Sequence, residues 1–305
     1  MMRILLTGAT GFIGKELVKA VSEKEYTVAV LVRDPNKVNT IFTKKIIQKI
    51  KIIDSSSDKW STEIAEFAPE VVVHLAAFLT SKDDLDIIPD LIASNITFGA
   101  QLLQSLKGTG LTAFINTGTF AEYFYGDGQY SPSYLYSATK TAFHNIIKYY
   151  QQIGSFKVVN VIPYTIYGQV DSQPKIIDII YNSFFADTPS NMSGGEQTLD
   201  FVHIEDVVSF YCLLIDQVSL LKNNWEDYHL GTGQGNTLRR IAEILSEKLN
   251  LPENINWGAL PYRDRDTMYS VAPIAKLINH FNWVPVITIN KGIDKFLAIK
   301  KISTF

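Results

Sequence analysis

Along the first half of the chain, short β-branched runs alternate with segments whose apolar residues recur every three or four positions. Ile4 to Thr7, Val28 to Val32, Ile50 to Ile53, Val71 to Leu75, Ala113 to Asn116 and Val158 to Ile162 read as strands. Between the first two, Lys15 to Glu23 carries Leu17, Val18 and Val21 at helical spacing, and Leu91 to Leu106 and Ser137 to Gln151 read as longer helices. Strands alternating with helices are the signature of βαβ units and of a parallel sheet covered on both faces. After about residue 165 the regularity breaks. Asp187 to Gln197 is rich in turn formers, and the last third mixes a helix at Leu238 to Leu249 with a turn-rich segment from Pro252 to Asp266. The expected fold is α/β: a doubly wound parallel sheet over residues 1–165, with 200–230 returning to it, and a smaller mixed α/β region over 166–305.

Composition agrees with that size of core. The 305 residues, 46% hydrophobic and 19% charged, are those of an ordinary globular protein, with one large domain or two unequal ones. A net charge of −3 offers no footprint for nucleic acid or an anionic membrane surface. The lysines at 44, 45, 49 and 51 read as a solvated stretch between two strands. The one cysteine, Cys212, lies in the apolar stretch Val207 to Ile215, where it reads as a buried thiol, and no intrachain disulfide is possible. A single Arg and the short run Ile4 to Thr7 lead straight into a glycine loop, so the N-terminus reads as a first strand and not a signal peptide. No window approaches the roughly 18 apolar residues of a spanning helix. The expectation is a cytoplasmic protein with no nucleic-acid or membrane partner and no metal site.

The glycine loop brings in chemistry. Ile4 to Gly14 reads I-L-L-T-G-A-T-G-F-I-G, a strand, then Gly8, Gly11 and Gly14 at intervals of three, then a helix. Such glycines permit a tight turn, close approach of backbone to a pyrophosphate and close packing of helix on strand, while the helix N-terminus favours phosphate charge. The segment is expected to form a Rossmann-type dinucleotide site, with Thr10, Phe12 and Ile13 beside the glycines as further contacts. The other reading of the segment is a plain strand-to-helix turn. An NAD site usually carries an acid at the end of the second strand, but here that end reads Val32-Arg33-Asp34. Arg33 suits a 2′-phosphate, Asp34 reads as the cap of the next turn, and Lys37 adds positive charge, so the expected cofactor is NADP(H). Asp54, after the third strand, is a candidate for the adenine or else a turn residue beside Ser55 to Ser57. The small residues of Leu75-Ala76-Ala77 leave room for a cofactor over the sheet edge.

Tyr136 and Lys140 stand four residues apart at the start of a predicted helix, on one face. A lysine ammonium near a phenol favours phenolate, so Lys140 is expected to lower Tyr136 toward working pH and make it a general acid or base. Y-x-x-x-K also arises by chance, as a surface lysine beside a packed tyrosine. Upstream, Asn116-Thr117-Gly118-Thr119 places two hydroxyls at the carboxyl end of a parallel strand, where ligands bind in such sheets. A hydroxyl there can bond a substrate oxygen as charge develops on it.

With these motifs the chain resembles an extended short-chain dehydrogenase of the nucleotide-sugar epimerase, dehydratase and reductase family. The resemblance rests on T-G-A-T-G-F-I-G, on Tyr136 and Lys140, and on Thr119 four residues before an aromatic. It extends through Tyr167-Gly168, Asp200-Phe201-Val202-His203-Ile204-Glu205-Asp206-Val207 and Leu230-Gly231-Thr232-Gly233, nearly the whole chain. It implies Thr119, Tyr136 and Lys140 as catalytic residues, with Tyr136, Lys140 and Pro163 also on the cofactor. It implies a nucleotide-diphosphate sugar as substrate and a homodimer formed through the two long helices. Two positions depart: Thr165 stands where the family often has Asn, and Leu199 where it often has Arg. Both family residues commonly contact the diphosphate, so Thr165, Lys175 and Arg263 become the candidate substrate contacts, with a solvated role equally open for the last two. Met192 to Gln197, Val202-His203-Ile204 and Tyr262-Arg263 most resemble the branch that reduces nucleotide-linked 4-keto-6-deoxysugars. An epimerase with tightly held NAD and a non-catalytic cofactor sensor are the rival readings. Phe120-Ala121, standing where the family's dehydratases have Asp-Glu, argues against dehydration.

Overall fold

The computed structural model describes residues 1–126, 128–171 and 173–303. Six strands, β1 (Met2–Thr7), β2 (Tyr26–Val32), β3 (Ile50–Asp54), β4 (Val71–His74), β5 (Ala113–Thr117) and β6 (Lys157–Pro163), pair in parallel in the order 3-2-1-4-5-6. A seventh, Trp225–Leu230, lies at the edge beside β6. The chain winds from β1 outward to β3, then restarts at β4 on the other side of β1. The carboxyl ends of β1 and β4 therefore flank the switch point at which doubly wound sheets bind ligands. This is the expected Rossmann-type fold.

One row of register partners shows why these runs became strands. Ala29, Leu5, Val72, Phe114 and Val158 stand side by side across β2, β1, β4, β5 and β6. All five are buried against Ile64, Leu102, Leu103, Phe143 and Ile147 of the covering helices. Each large side chain so covered contributes about 1.5–3 kcal/mol relative to exposure.

The periodic run from Leu91 to Leu106 is helical, but not uniformly. It comprises α-helix at Ile88–Ile92, a π-helical segment at Ala93–Thr97 and α-helix at Phe98–Ser105. The wide turn carries Asn95, which is buried and tied to other elements. Its Oδ1 accepts from Phe78 N at 2.7 Å, and its Nδ2 donates to Phe78 O at 3.2 Å and to Thr139 Oγ1 at 2.9 Å. Periodicity alone does not distinguish such a turn from plain α-helix.

Contacts divide the chain into two compact units. One comprises Met1–Tyr123, Gln129–Ile162 and Val208–Tyr228, the other Phe124–Gly128, Pro163–Val207 and His229–Phe305. In the second, Thr198–His203 pairs in parallel with Thr165–Tyr167 and with Tyr269–Ser270, and antiparallel with Gly235–Thr237. Ser190–Met192 pairs with Ile255–Trp257. Two sequence motifs meet there. The buried Asp200 carboxylate accepts from Thr232 N and Gly233 N at 2.8 Å and from Ala272 N at 3.1 Å. A Cβ on Gly231 would stand 2.5 Å from Asp200 Oδ2, so only glycine fits beside that carboxylate. Among the described residues no helix is long and apolar enough to cross a membrane. Cys212, on the helix Ile204–Gln217, is half-buried, and burial pushes its thiol up.

Candidate active site

The glycine loop joins β1 to α1 (Phe12–Ser22) and folds as its spacing requires. Gly8 has φ +67° and lies so close to β4 that a Cβ would stand 2.6 Å from Ala76 N. A Cβ on Gly14 would overlap Gly8 O, with Ala9 Cα at 2.8 Å. Gly11, exposed, is the N-cap of α1, and no side chain caps that helix. Thr10, Phe12 and Ile13 are half-buried around it. A cradle held open by glycines, ending on the electropositive start of a helix, fits a dinucleotide pyrophosphate.

The strand ends beside it are locked by a relay. Ala76 N donates to Thr7 Oγ1 at 3.2 Å, leaving the Thr7 hydroxyl proton for His74 Nδ1 at 2.9 Å. Burial, then the charge of Lys140, pushes His74 down to about 3, so its imidazole is neutral and suited to accept. Leu75 and Ala76 are half-buried and Ala77 is exposed.

At the end of β2, Val32 is buried and Arg33 exposed. Asp34 is the N-cap of α2 (Pro35–Ile41), its Oδ1 accepting from Asn36 N at 3.0 Å. The one acid adjoining Arg33 is thus committed to a helix start. Asp54, in register with Val32, accepts from Ser56 N at 2.8 Å and Ser56 Oγ at 2.7 Å, bonds that hold its carboxyl below its ordinary range. Those bonds are those of a turn residue.

Thr119 follows β5 and caps a 3-10 turn at Phe120–Glu122. Its Oγ1 accepts from Ala121 N at 3.3 Å, a bond that does not use its own proton. Tyr136 and Lys140 lie one turn apart in the helix Leu135–Gly154 and are 7% and 2% exposed. Burial brings Lys140 down to about 8, opposed by the negative charge of Glu122. Tyr136 corrects an expectation. Burial, and after it the charge of Glu122, raises the phenol instead of lowering it. Desolvation penalises phenolate more than a partly discharged lysine can favour it.

The other candidates lie in the second unit or at its border. Pro163 is buried at the end of β6 and Thr165 half-buried on Thr165–Tyr167. Lys175 precedes the helix Ile176–Ser183 and stands 3.6 Å from Asp171, whereas Arg263 is exposed on a loop. Three residues absent from the sequence reading join the site: His74, Asn95 and Glu122. Asn95 bonds Thr139, the neighbour of Lys140, and the signal for Glu122 was the Thr-x-x-Glu spacing of a capping box.

With this geometry in place, the profile of the NAD dependent epimerase/dehydratase family matches residues 4–231. The chain belongs to that family. As a member it is an enzyme of the nicotinamide-dinucleotide class. It is 26% identical over 307 residues to CDP-abequose synthase of Salmonella muenchen, covering 98% of each chain. It is 22% identical over 310 residues to UDP-glucose 4-epimerase of Mycolicibacterium smegmatis, covering 96% of this chain and 97% of that one. Among solved structures, UDP-glucuronic acid 4-epimerase from Bacillus cereus in complex with UDP-glucuronic acid and NAD superposes with a TM-score of 0.84. That match has 22% identity and covers 99% of this chain and 100% of that one, and it shows a shared fold.

Proposed function

We propose that this enzyme uses NADPH to reduce the 4-keto group of a nucleotide-linked 4-keto-6-deoxysugar. The observation that carries the reading is the end of β2, where Arg33 is exposed and Asp34 is committed to capping α2. An exposed guanidinium there suits the 2′-phosphate of NADPH, and Val32 stands where an NAD site carries the acid for the 2′-hydroxyl. The near full-length similarity to CDP-abequose synthase supports the substrate class. The expected bounds 1–165 with 200–230 shift to the first unit, Met1–Tyr123, Gln129–Ile162 and Val208–Tyr228, because Asp200 and its strand pack in the second. On this reading the first unit holds the cofactor through Gly8, Thr10, Gly11, Phe12, Ile13, Gly14, Arg33, Asp54, Leu75, Ala76 and Ala77, with Pro163 at its border. The second unit holds the sugar nucleotide, with Thr165, Lys175 and Arg263 as contacts.

NADPH, when bound, supplies a hydride to the carbonyl carbon. The chain supplies everything else. Thr119 donates its hydroxyl proton in a hydrogen bond to the keto oxygen, stabilising charge as it develops. Tyr136, kept in its phenol form by burial, delivers the proton that completes the alcohol. Lys140 holds ribose hydroxyls and presents its ammonium beside the phenol. A homodimer in solution is part of the same reading. Ile92, Tyr149 and Ile153, on the two helical segments expected to meet a second copy, are exposed.

The test compares NADPH with NADH in the wild type and in Arg33→Ala. Loss of one phosphate contact is expected to cost NADPH about tenfold or more in kcat/KM and leave NADH nearly unchanged. A wild-type preference for NADH that survives the substitution would remove the basis of the assignment.

A further inference from the structure

Thr119 is held by a residue that the scheme above does not use. Glu122 Oε1 accepts the Thr119 N–H at 2.9 Å, completing a capping box whose other half is the Ala121 N–H bond to Thr119 Oγ1. Its other oxygen, Oε2, accepts from Thr141 Oγ1 at 3.1 Å, one residue beyond Lys140 on the helix Leu135–Gly154. The same oxygen lies 3.6 Å from His144 Nε2, one turn further along. The carboxyl is 0% exposed, and the strand end leaves it little space, because a Cβ on Gly118 would stand 2.8 Å from Glu122 Oε1. A buried carboxyl bonded to the turn on one side and to the helix on the other fixes their relative placement.

We propose that Glu122 is a positioning residue: its carboxyl clamps the Thr119 turn to the helix bearing Tyr136 and Lys140. The proposal rests on the reading of those three residues as the reacting groups.

The groups around the carboxyl make the sign of the effect clear. Lys140 and His144 face it from the helix and Asp227 from the seventh strand, Tyr123 and Tyr130 lie on its own loop, and Tyr136 responds to its charge. Burial raises Glu122 to about 7, opposed by its bonds to Thr119 and Thr141 and by the Lys140 charge. His144 is pushed down to about 3, chiefly by burial, and so adds no charge. With its proton on Nε2, His144 accepts from the Tyr130 hydroxyl at Nδ1, 2.7 Å away, and turns an N–H toward Glu122. Lys140 also faces His74, itself neutral. Above about 7, then, Glu122 is the anion that supports the ammonium. Without that charge, loss of the ammonium moves to lower pH.

Lysine labelled with carbon-13 at Cε and followed by NMR without substrate reads Lys140 directly, its signal identified by its absence in Lys140→Arg. Glu122→Gln keeps an oxygen for the Thr119 N–H and removes the charge. It is expected to lower the Lys140 midpoint by about one pH unit, a tenfold change in that equilibrium. An unchanged midpoint places the carboxyl away from Lys140 and overturns the clamp. Glu122→Asp keeps the charge on a shorter arm; with the sugar nucleotide and NADPH, kcat is expected to fall at least tenfold with KM for NADPH unchanged. Wild-type kcat in Glu122→Asp overturns the clamp. Should Glu122→Gln not fold, the Glu122 carboxyl is titrated in wild type and Lys140→Met, where coupling requires a higher midpoint in the variant and equal midpoints exclude it. The titrations involve no substrate, so they stand or fall separately from the reductase reading.

Discussion

In the proposed scheme Tyr136 is the proton donor, and its surroundings keep it an uncharged phenol at neutral pH: burial, and after it the charge of Glu122, both raise it. Tyr136→Phe keeps the ring in its packing and deletes only the hydroxyl. It is expected to lower kcat by about 10²–10⁴-fold while cofactor affinity, read by fluorescence titration, stays within a factor of about two. Turnover close to wild type would take Tyr136 out of the proton-donor role. The spacing that singles out Thr119, Tyr136 and Lys140 as candidates was legible in the sequence. The direction in which Tyr136 shifts was not legible, since it depends on depth of burial and on Glu122. Spacing shows that a lysine is one helical turn away but not how much water has been removed from the phenol.

Elements with one apolar face and local hydrogen bonds were the easiest to read. The helix Leu238–Leu249 matches its periodicity residue for residue, and β1 to β6 fall within one to three residues of their apolar runs. Two elements show what periodicity misses. The seventh strand, Trp225–Leu230, alternates half-buried and buried positions as an edge strand should, but one buried position is Glu226. Asn223 Nδ2 donates to that carboxylate, and a buried acid satisfied in this way breaks the apolar pattern by which strands are recognised. The π turn at Ala93–Thr97 is the other. Asn95 occupies an inward position that the pattern assigns to packing, and its three bonds tie the chain after β4 to the helix Leu135–Gly154. Asn95→Ala should leave the Phe78 N–H and the Thr139 hydroxyl to find new partners. A loss of about 2–4 kcal/mol in urea unfolding is expected, with kcat reduced because Thr139 adjoins Lys140. Stability within about 0.5 kcal/mol of wild type would show that the wide turn does not depend on Asn95.

At the scale of the molecule, one unit carries the glycine cradle, Arg33, Thr119, Tyr136 and Lys140, and the other carries Thr165, Lys175 and Arg263. The fold of the first was legible because a parallel sheet writes itself as alternating strands and helices. The second is built from short strands around Asp200, whose partners come from residues 32, 33 and 72 positions away, and no local pattern announces it. The central claim is net reduction at the expense of NADPH. The direct measurement supplies the purified enzyme with NADPH and a nucleotide-linked 4-keto-6-deoxyhexose and follows cofactor absorbance and products together. One NADPH consumed per 6-deoxyhexose nucleotide formed is the predicted result. Interconversion of two sugar epimers with no net loss of NADPH would contradict the account.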